Sequence, residues 1–105
     1  MSRASLERGA DGTLRLTGAL DFANAPTLWR QGRAIFDAEG ASHREIDLAA
    51  VERTDSAGVA LLLDWTRRAR AHGGELRLRH VPQQMLAIVQ ASGVQAVFEI
   101  ADDPA

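Results

Sequence analysis

Asp55-Ser56-Ala57-Gly58 sets a carboxylate beside a hydroxyl directly ahead of the apolar run Val59-Ala60-Leu61-Leu62-Leu63. Three kinds of chemistry suit that pattern. The serine can serve as a nucleophile if a histidine and a carboxylate assist it, it can accept a phosphoryl group, or either polar residue can cap a helix by accepting from its first N–H groups. Nucleophilic catalysis is the weakest of these, because Gly-x-Ser-x-Gly is absent and nothing beyond an ordinary helix N-terminus could hold an oxyanion. Capping accounts for the polar pair, and Gly58 lets the turn pass close to neighbouring backbone.

Other chemistry-bearing residues form no constellation. His43, His72 and His80 are scattered without His-x-x-x-His or comparable ligand spacing, so no metal site is expected. Neither a phosphate-binding Gly-x-x-x-x-Gly-Lys-Ser/Thr sequence nor a dinucleotide-binding Gly-x-Gly-x-x-Gly sequence occurs. No cofactor is therefore expected, and any nucleotide chemistry belongs to a partner. The clusters Arg67-Arg68 with Arg70, and Arg77 with Arg79, read as solvated faces; as a functional rim they would set association rate more than affinity.

The chain has 105 residues, room for one domain with one hydrophobic core. Apolar residues are 46% and charged residues 25%, a globular balance, with a short tail expected at Ala101-Asp102-Asp103-Pro104-Ala105. A formal charge of −2 with interspersed signs disfavours nucleic acid and anionic membrane surfaces as direct partners. There is no cysteine, which agrees with a reducing compartment, and no apolar segment of signal-peptide or membrane-spanning length. A cytoplasmic location without direct membrane insertion follows as the expectation.

The elements that must position the tetrapeptide can be read from periodicity. Ser5–Arg8 and Thr13–Thr17 flank an Asp11-Gly12 turn and predict an antiparallel hairpin. A first helix is expected from the low twenties, where Asp21, Asn24 and Pro26 give start signals, to about Ala38, with Leu28, Trp29, Ile35 and Phe36 on its apolar side and Gly32 a local weak point. Trp29 reads as core rather than contact surface. Arg44–Leu48 predicts a strand, Ala49–Thr54 a link, and a second helix runs from the tetrapeptide to Ala71 or His72 before Gly73-Gly74.

Glu75–His80 alternates, with Leu76 and Leu78 on one face and charges on the other. Pro82 starts a third helix with Met85, Leu86 and Val89 buried, and Ala96–Ile100 predicts the last strand. The order is ββαβαβαβ, an α/β (α+β) fold with one mixed sheet and helices mainly on one face.

The second helix carries more apolar surface than a sheet alone requires. Val59, Leu62, Leu63, Thr66 and Ala69 form one stripe, whereas Ala57, Leu61 and Trp65 form another. Two arrangements satisfy the second stripe. Another helix covers Leu61 and Trp65, or they stand exposed beside Ser56 as the centre of a binding surface, where tryptophan is favoured.

A strand ending Ile46-Asp47-Leu48, a short link, Asp55-Ser56-Ala57-Gly58 and then Val59-Ala60-Leu61-Leu62-Leu63 resembles the signature of STAS domains, the fold of anti-sigma factor antagonists. The resemblance spans nearly the whole chain, including the hairpin, Gly18–Asp21, Gly73-Gly74 and the ending from Gly93 to Ile100. The Leu20-Asp21 to Leu28-Trp29 passage and an aromatic at Trp65 are similar to the MlaB group, the small STAS subunits of Mla phospholipid-transport ABC systems. That likeness implies a non-enzymatic, single-domain subunit that binds and supports an ABC-transporter ATPase, held beside the inner membrane by its partner and contributing to outer-membrane lipid asymmetry.

Partner contacts would come from Ser56, with Asp55, Ala57, Leu61 and Trp65 around it. The alternative implied by the wider family is an anti-sigma factor antagonist, in which an anti-sigma factor serine kinase phosphorylates Ser56 to break a partner complex. Antagonists commonly have a second serine where this chain has Ala57. In either case a homodimer could cover an apolar patch when the partner is absent.

Overall fold

The computed structural model describes residues 4–39 and 43–101. Of the tail expected at 101–105, Ala101 is described and its N–H bonds Leu78 O at 2.8 Å, whereas residues 102–105 and the glycine turn at Gly40 lie outside the described residues, as does the side chain of His43. The first strands are β1, Ser5–Arg8, and β2, Leu14–Leu20, which pair antiparallel. Their turn is closed by Gly9 N–H to Thr13 O at 2.8 Å and by Asp11 Oδ1, which accepts from Thr13 N–H at 3.0 Å.

Helix α1, Ala25–Glu39, leads to β3, His43–Thr54; α2, Ser56–Ala71, leads to β4, Glu75–Arg79; α3, Gln83–Ala91, leads to β5, Glu99–Ile100. The sheet has 5 strands in the order β1-β2-β3-β4-β5, with every pairing after the hairpin parallel. Because the order advances one way through right-handed crossovers, the helices share one face. This is the ββαβαβαβ arrangement expected from the sequence.

Leu14, Leu16, Ile46, Leu48, Leu76 and Leu78 point from the sheet into a core closed by Leu28 and Phe36 of α1, Leu62 and Trp65 of α2 and Met85 and Val89 of α3. Leu86, expected with the last two, is only partly buried. Among the described residues no helix lies over the opposite sheet face, an uncommon situation for parallel strands. There, ion pairs join Arg79 to Glu45 at 3.1 Å and Arg77 to Glu99 at 4.0 Å, and His80 Nδ1 is hydrogen-bonded to Asp47 Oδ1 at 3.0 Å.

Two elements differ from expectation. β3 continues through the supposed link Ala49–Thr54. Between the pairs Arg15↔Asp47 and Thr17↔Ala50, and again between Gly18↔Val51 and Ala19↔Arg53, β3 advances one residue more than β2. Each irregularity inverts the side-chain alternation, which hides the strand from a period-two reading. The last strand is shorter than Ala96–Ile100, because Gln95–Val97 winds into a 3-10 turn and the chain reaches β4 only at Glu99.

Helix α2 ends where Gly73-Gly74 predicts. Gly74 N–H bonds Ala69 O at 2.8 Å and Gly73 N–H bonds Arg70 O at 3.0 Å, the two bonds that close a Schellman stop.

Candidate functional site

Asp55 organises the start of α2. Its extended backbone places the carboxylate over the first turn, where Oδ1 accepts from Ala57 N–H at 2.9 Å and Gly58 N–H at 3.4 Å. Oδ2 turns the other way and accepts from Phe22 N–H at 3.1 Å. One side chain therefore caps α2 and ties down the β2–α1 turn. Ser56 is the first helical residue, exposed, and is not the cap.

The strand ends beneath are locked together. Buried Thr54 donates its hydroxyl to Leu20 O at 2.9 Å, and Thr54 N–H donates to Gln84 Oε1 at 3.0 Å. Gly58 is needed at this crossing, since a Cβ there would fall inside contact distance of Thr54 Oγ1, Leu20 O and Leu20 Cγ. On the α1 side, Asp21 accepts from Asn24 N–H at 3.0 Å and from Arg53 Nη2 at 3.0 Å. The tetrapeptide thus sits at the carboxyl ends of parallel strands, the edge at which open α/β sheets usually bind their ligands.

Between the N-terminal halves of α1 and α2 lies an apolar groove of about 510 Å³. Phe22, Ala25, Pro26 and Trp29 form one wall, and Ala57, Ala60 and Leu61 form the other, with Arg30 and Asp64 at its polar margin. Phe22 is 81% exposed, the large apolar side chain left open among the described residues. Trp29, read from sequence as core, is partly buried and belongs to the groove wall. Its indole N–H donates to Asp64 Oδ2 at 2.6 Å, while the guanidinium carbons of Arg33 and Arg68 stand 5.2 and 5.6 Å from its ring centroid.

The expected contact residues separate into three situations. Ser56 is exposed; Asp55 and Ala57 are partly buried at the groove's end; Leu61 is buried but its edge lines the groove. Trp65 requires correction, because it is fully buried and offers no surface to a partner in this conformation. Helix α1 covers it: Phe36 packs at 6.1 Å between ring centroids, and Gly32 leaves the space that the indole fills. Gly32, expected to be a weak point, is thus the reason α1 and α2 can approach so closely. The covering of Leu61 and Trp65 by another helix is the arrangement found.

Phe22 and Trp29 were missed as surface residues for a physical reason. Phe22 precedes α1 and belongs to no periodic stripe, and Trp29 follows Leu28 on a stripe whose outer limit depends on how far α2 reaches across it. Of the charged clusters, Arg68 pairs with Asp64 at 3.3 Å and Arg70 with Glu75 at 2.8 Å. Among the described residues there is no cluster of three or more His, Cys, Asp or Glu able to hold a metal, and no helix long and apolar enough to cross a membrane.

Known proteins place this architecture. The family described as Mlab, STAS domain, matches residues 5–99. The chain belongs to this family of STAS domains. Among solved structures, it is similar to an anti-sigma factor antagonist from Mycobacterium paratuberculosis, with TM-score 0.77 and 18% identity over 98% of this chain and 87% of that one. An anti-sigma-factor antagonist (STAS) domain protein from Planctomyces limnophilus aligns with TM-score 0.73 and 16% identity over 96% and 91% of the two chains. The Bacillus cell fate determinant SpoIIAA in its phosphorylated form aligns with TM-score 0.69 and 20% identity over 96% and 93%. At these identities the likeness concerns the fold. No curated protein matched the chain.

Proposed function

We propose that the chain is a non-catalytic STAS subunit that binds and supports the ATPase of an ABC-type phospholipid-transport system, and so contributes to lipid asymmetry of the outer membrane. The observation that carries this reading is the apolar groove beside exposed Ser56, in a chain whose family is described by the MlaB name. An open apolar cleft between two helices, edged by a few polar groups, suits a protein partner. The nucleotide chemistry belongs to that partner, and the subunit stays in the cytoplasm, held at the inner membrane only through it.

Ser56, Asp55, Ala57 and Leu61 form the contact end of the site. Ser56→Asp tests this directly. Asp55 alone caps the helix, so an added carboxylate at the first helical position leaves the cap in place and is favoured by the helix dipole. A tagged Ser56→Asp protein is expected to fold with unchanged thermal stability and to lose the ABC ATPase recovered with the wild type in mild detergent. Retention of the ATPase by the folded variant would remove Ser56 from the interface.

The second reading is an anti-sigma factor antagonist controlled by phosphorylation. It is favoured by the exposure of the Ser56 hydroxyl and by the likeness in fold to SpoIIAA, known in phosphorylated and unphosphorylated forms. Mass spectrometry of the same purified material separates the two. An ATPase with its permease and an unmodified Ser56 supports transport; a serine kinase and phosphate on Ser56 overturns it.

A further inference from the structure

The chemistry of the groove's margin says more about its occupant than its apolar floor does. Three carboxylates lie nearby, and each already has its partners. Asp21 holds Asn24 N–H and Arg53, Asp55 holds three backbone N–H groups, and Asp64 holds the Trp29 indole and Arg68. Asp37, further along α1, is shared by Arg33 and Arg68 at 3.5 Å each.

Two exposed arginines have no such partner among the described residues. Arg30 lines the groove from α1, and exposed Arg67 continues the stripe of exposed Ser56 and Ala60 and partly buried Asp64 on α2 by three further residues. A chain with a net charge of −2 thus keeps Arg30 in the groove that exposed Phe22 also lines, with Arg67 further along α2.

Phe22 stands at the mouth of this groove on a turn whose N–H is held by Asp55, so it is pre-positioned rather than loose. Every one of the 12 basic residues in the chain is an arginine, whose planar fork matches a carboxylate in two bonds where lysine offers a point charge. Anionic lipid is the poorer complement. Recognition of an acidic membrane takes clusters of about four to eight basic residues, and here there are two, set about an apolar cleft between helices.

We propose that the groove takes an acidic amphipathic helix of the protein partner, its apolar side chains packed against Phe22, Trp29 and Leu61 and its carboxylates set on Arg30 and Arg67. The proposal rests on the docking reading of this groove and specifies the partner surface that fills it.

The test is site-specific photocrosslinking of the full chain in its own cells. A p-benzoylphenylalanine is placed at Ala60 in one variant and at Thr27 in another, and the crosslinked peptide is sequenced by mass spectrometry. The expected adduct is a helical segment carrying apolar residues at spacings of three and four and at least two carboxylates on its flanks. Arg30→Glu combined with Arg67→Glu should lower its yield on the order of tenfold, the loss of two exposed charge pairs with added repulsion. Arg77→Glu, on the opposite sheet face, should leave the yield unchanged.

A crosslinked peptide without carboxylates, an adduct to a second copy of this chain or to lipid, no adduct from either position, or a yield indifferent to the double reversal would each overturn the proposal. The identity of the crosslinked protein reports separately on transport. An acidic helix belonging to something other than an ABC ATPase would sink the transport reading and leave this one standing.

Discussion

At the residue scale, the division of labour between Asp55 and Ser56 matters most. Asp55 satisfies N–H groups of both α2 and the β2–α1 turn, whereas Ser56 does no capping. Asp55→Ala should therefore lower stability by about 0.5–2 kcal/mol from the cap alone, while Ser56→Ala should stay within about 0.5 kcal/mol. Urea denaturation will show this as a lower midpoint with unchanged slope for the first variant only. Trp65 offers a second residue-scale test. Its indole N–H is buried with no hydrogen-bond partner among the described residues, a group that costs about 1–3 kcal/mol to leave unmet. Trp65→Phe removes that donor along with some volume, so its net cost should be under about 1.5 kcal/mol, against about 3–5 kcal/mol for Trp65→Ala.

At the scale of elements, two glycines decide how closely α2 can sit. Gly32 faces the indole of Trp65 across the α1–α2 contact, and Gly58 faces Thr54 and Leu20 where α2 crosses the strand ends. Alanine at either position would gain about 1 kcal/mol in helix propensity. The added methyl group has no space, and overpacking of this kind costs about 1–3 kcal/mol. Gly58→Ala should be the more damaging, since it meets a backbone carbonyl that cannot rotate away as a side chain can. Thermal melts of the two variants should show losses, with about 4–8 °C for each kcal/mol in a domain of this size. A rise in melting temperature for Gly32→Ala would mean that α1 and α2 are less tightly packed than described.

At the scale of the whole molecule, the sheet face that no helix covers among the described residues carries paired charges. Asp47 lies there, partly buried. Partial burial pushes its carboxyl pKa up, but hydrogen bonds from Ala49 N–H and His80, with the charges of His80 and Arg15, outweigh burial and hold it below its ordinary value of 3.8. A carboxyl depressed on folding stabilises the fold above its unfolded pKa and loses that contribution as pH falls through the folded one. Acid unfolding should therefore steepen below about pH 4. Asp47→Asn should flatten that limb while lowering stability at neutral pH, a comparison that circular dichroism across an acid titration can make. If the two proteins lose stability in parallel, the acid limb arises elsewhere.

Local rules acting within the chain were enough to define the element order, the hairpin, the stop after α2 and the shared face of Leu76 and Leu78 in β4. Turn geometry, helix stops and side-chain alternation depend on near neighbours, which the order of residues contains. The tetrapeptide was legible as a capped helix start for the same reason, and its STAS likeness followed from it. Tertiary structure alone decided which apolar stripe of α2 is covered, because that depends on α1 reaching across it and on Gly32 admitting Trp65. It also decided that Asp55 rather than Ser56 is the cap, since its second oxygen is engaged by Phe22, 33 residues away in the chain. The same long-range packing leaves Phe22 exposed and turns the flank of Trp29 into a groove wall. Surface is what remains after elements have packed, so a binding face built from two helices has no signature in either helix by itself.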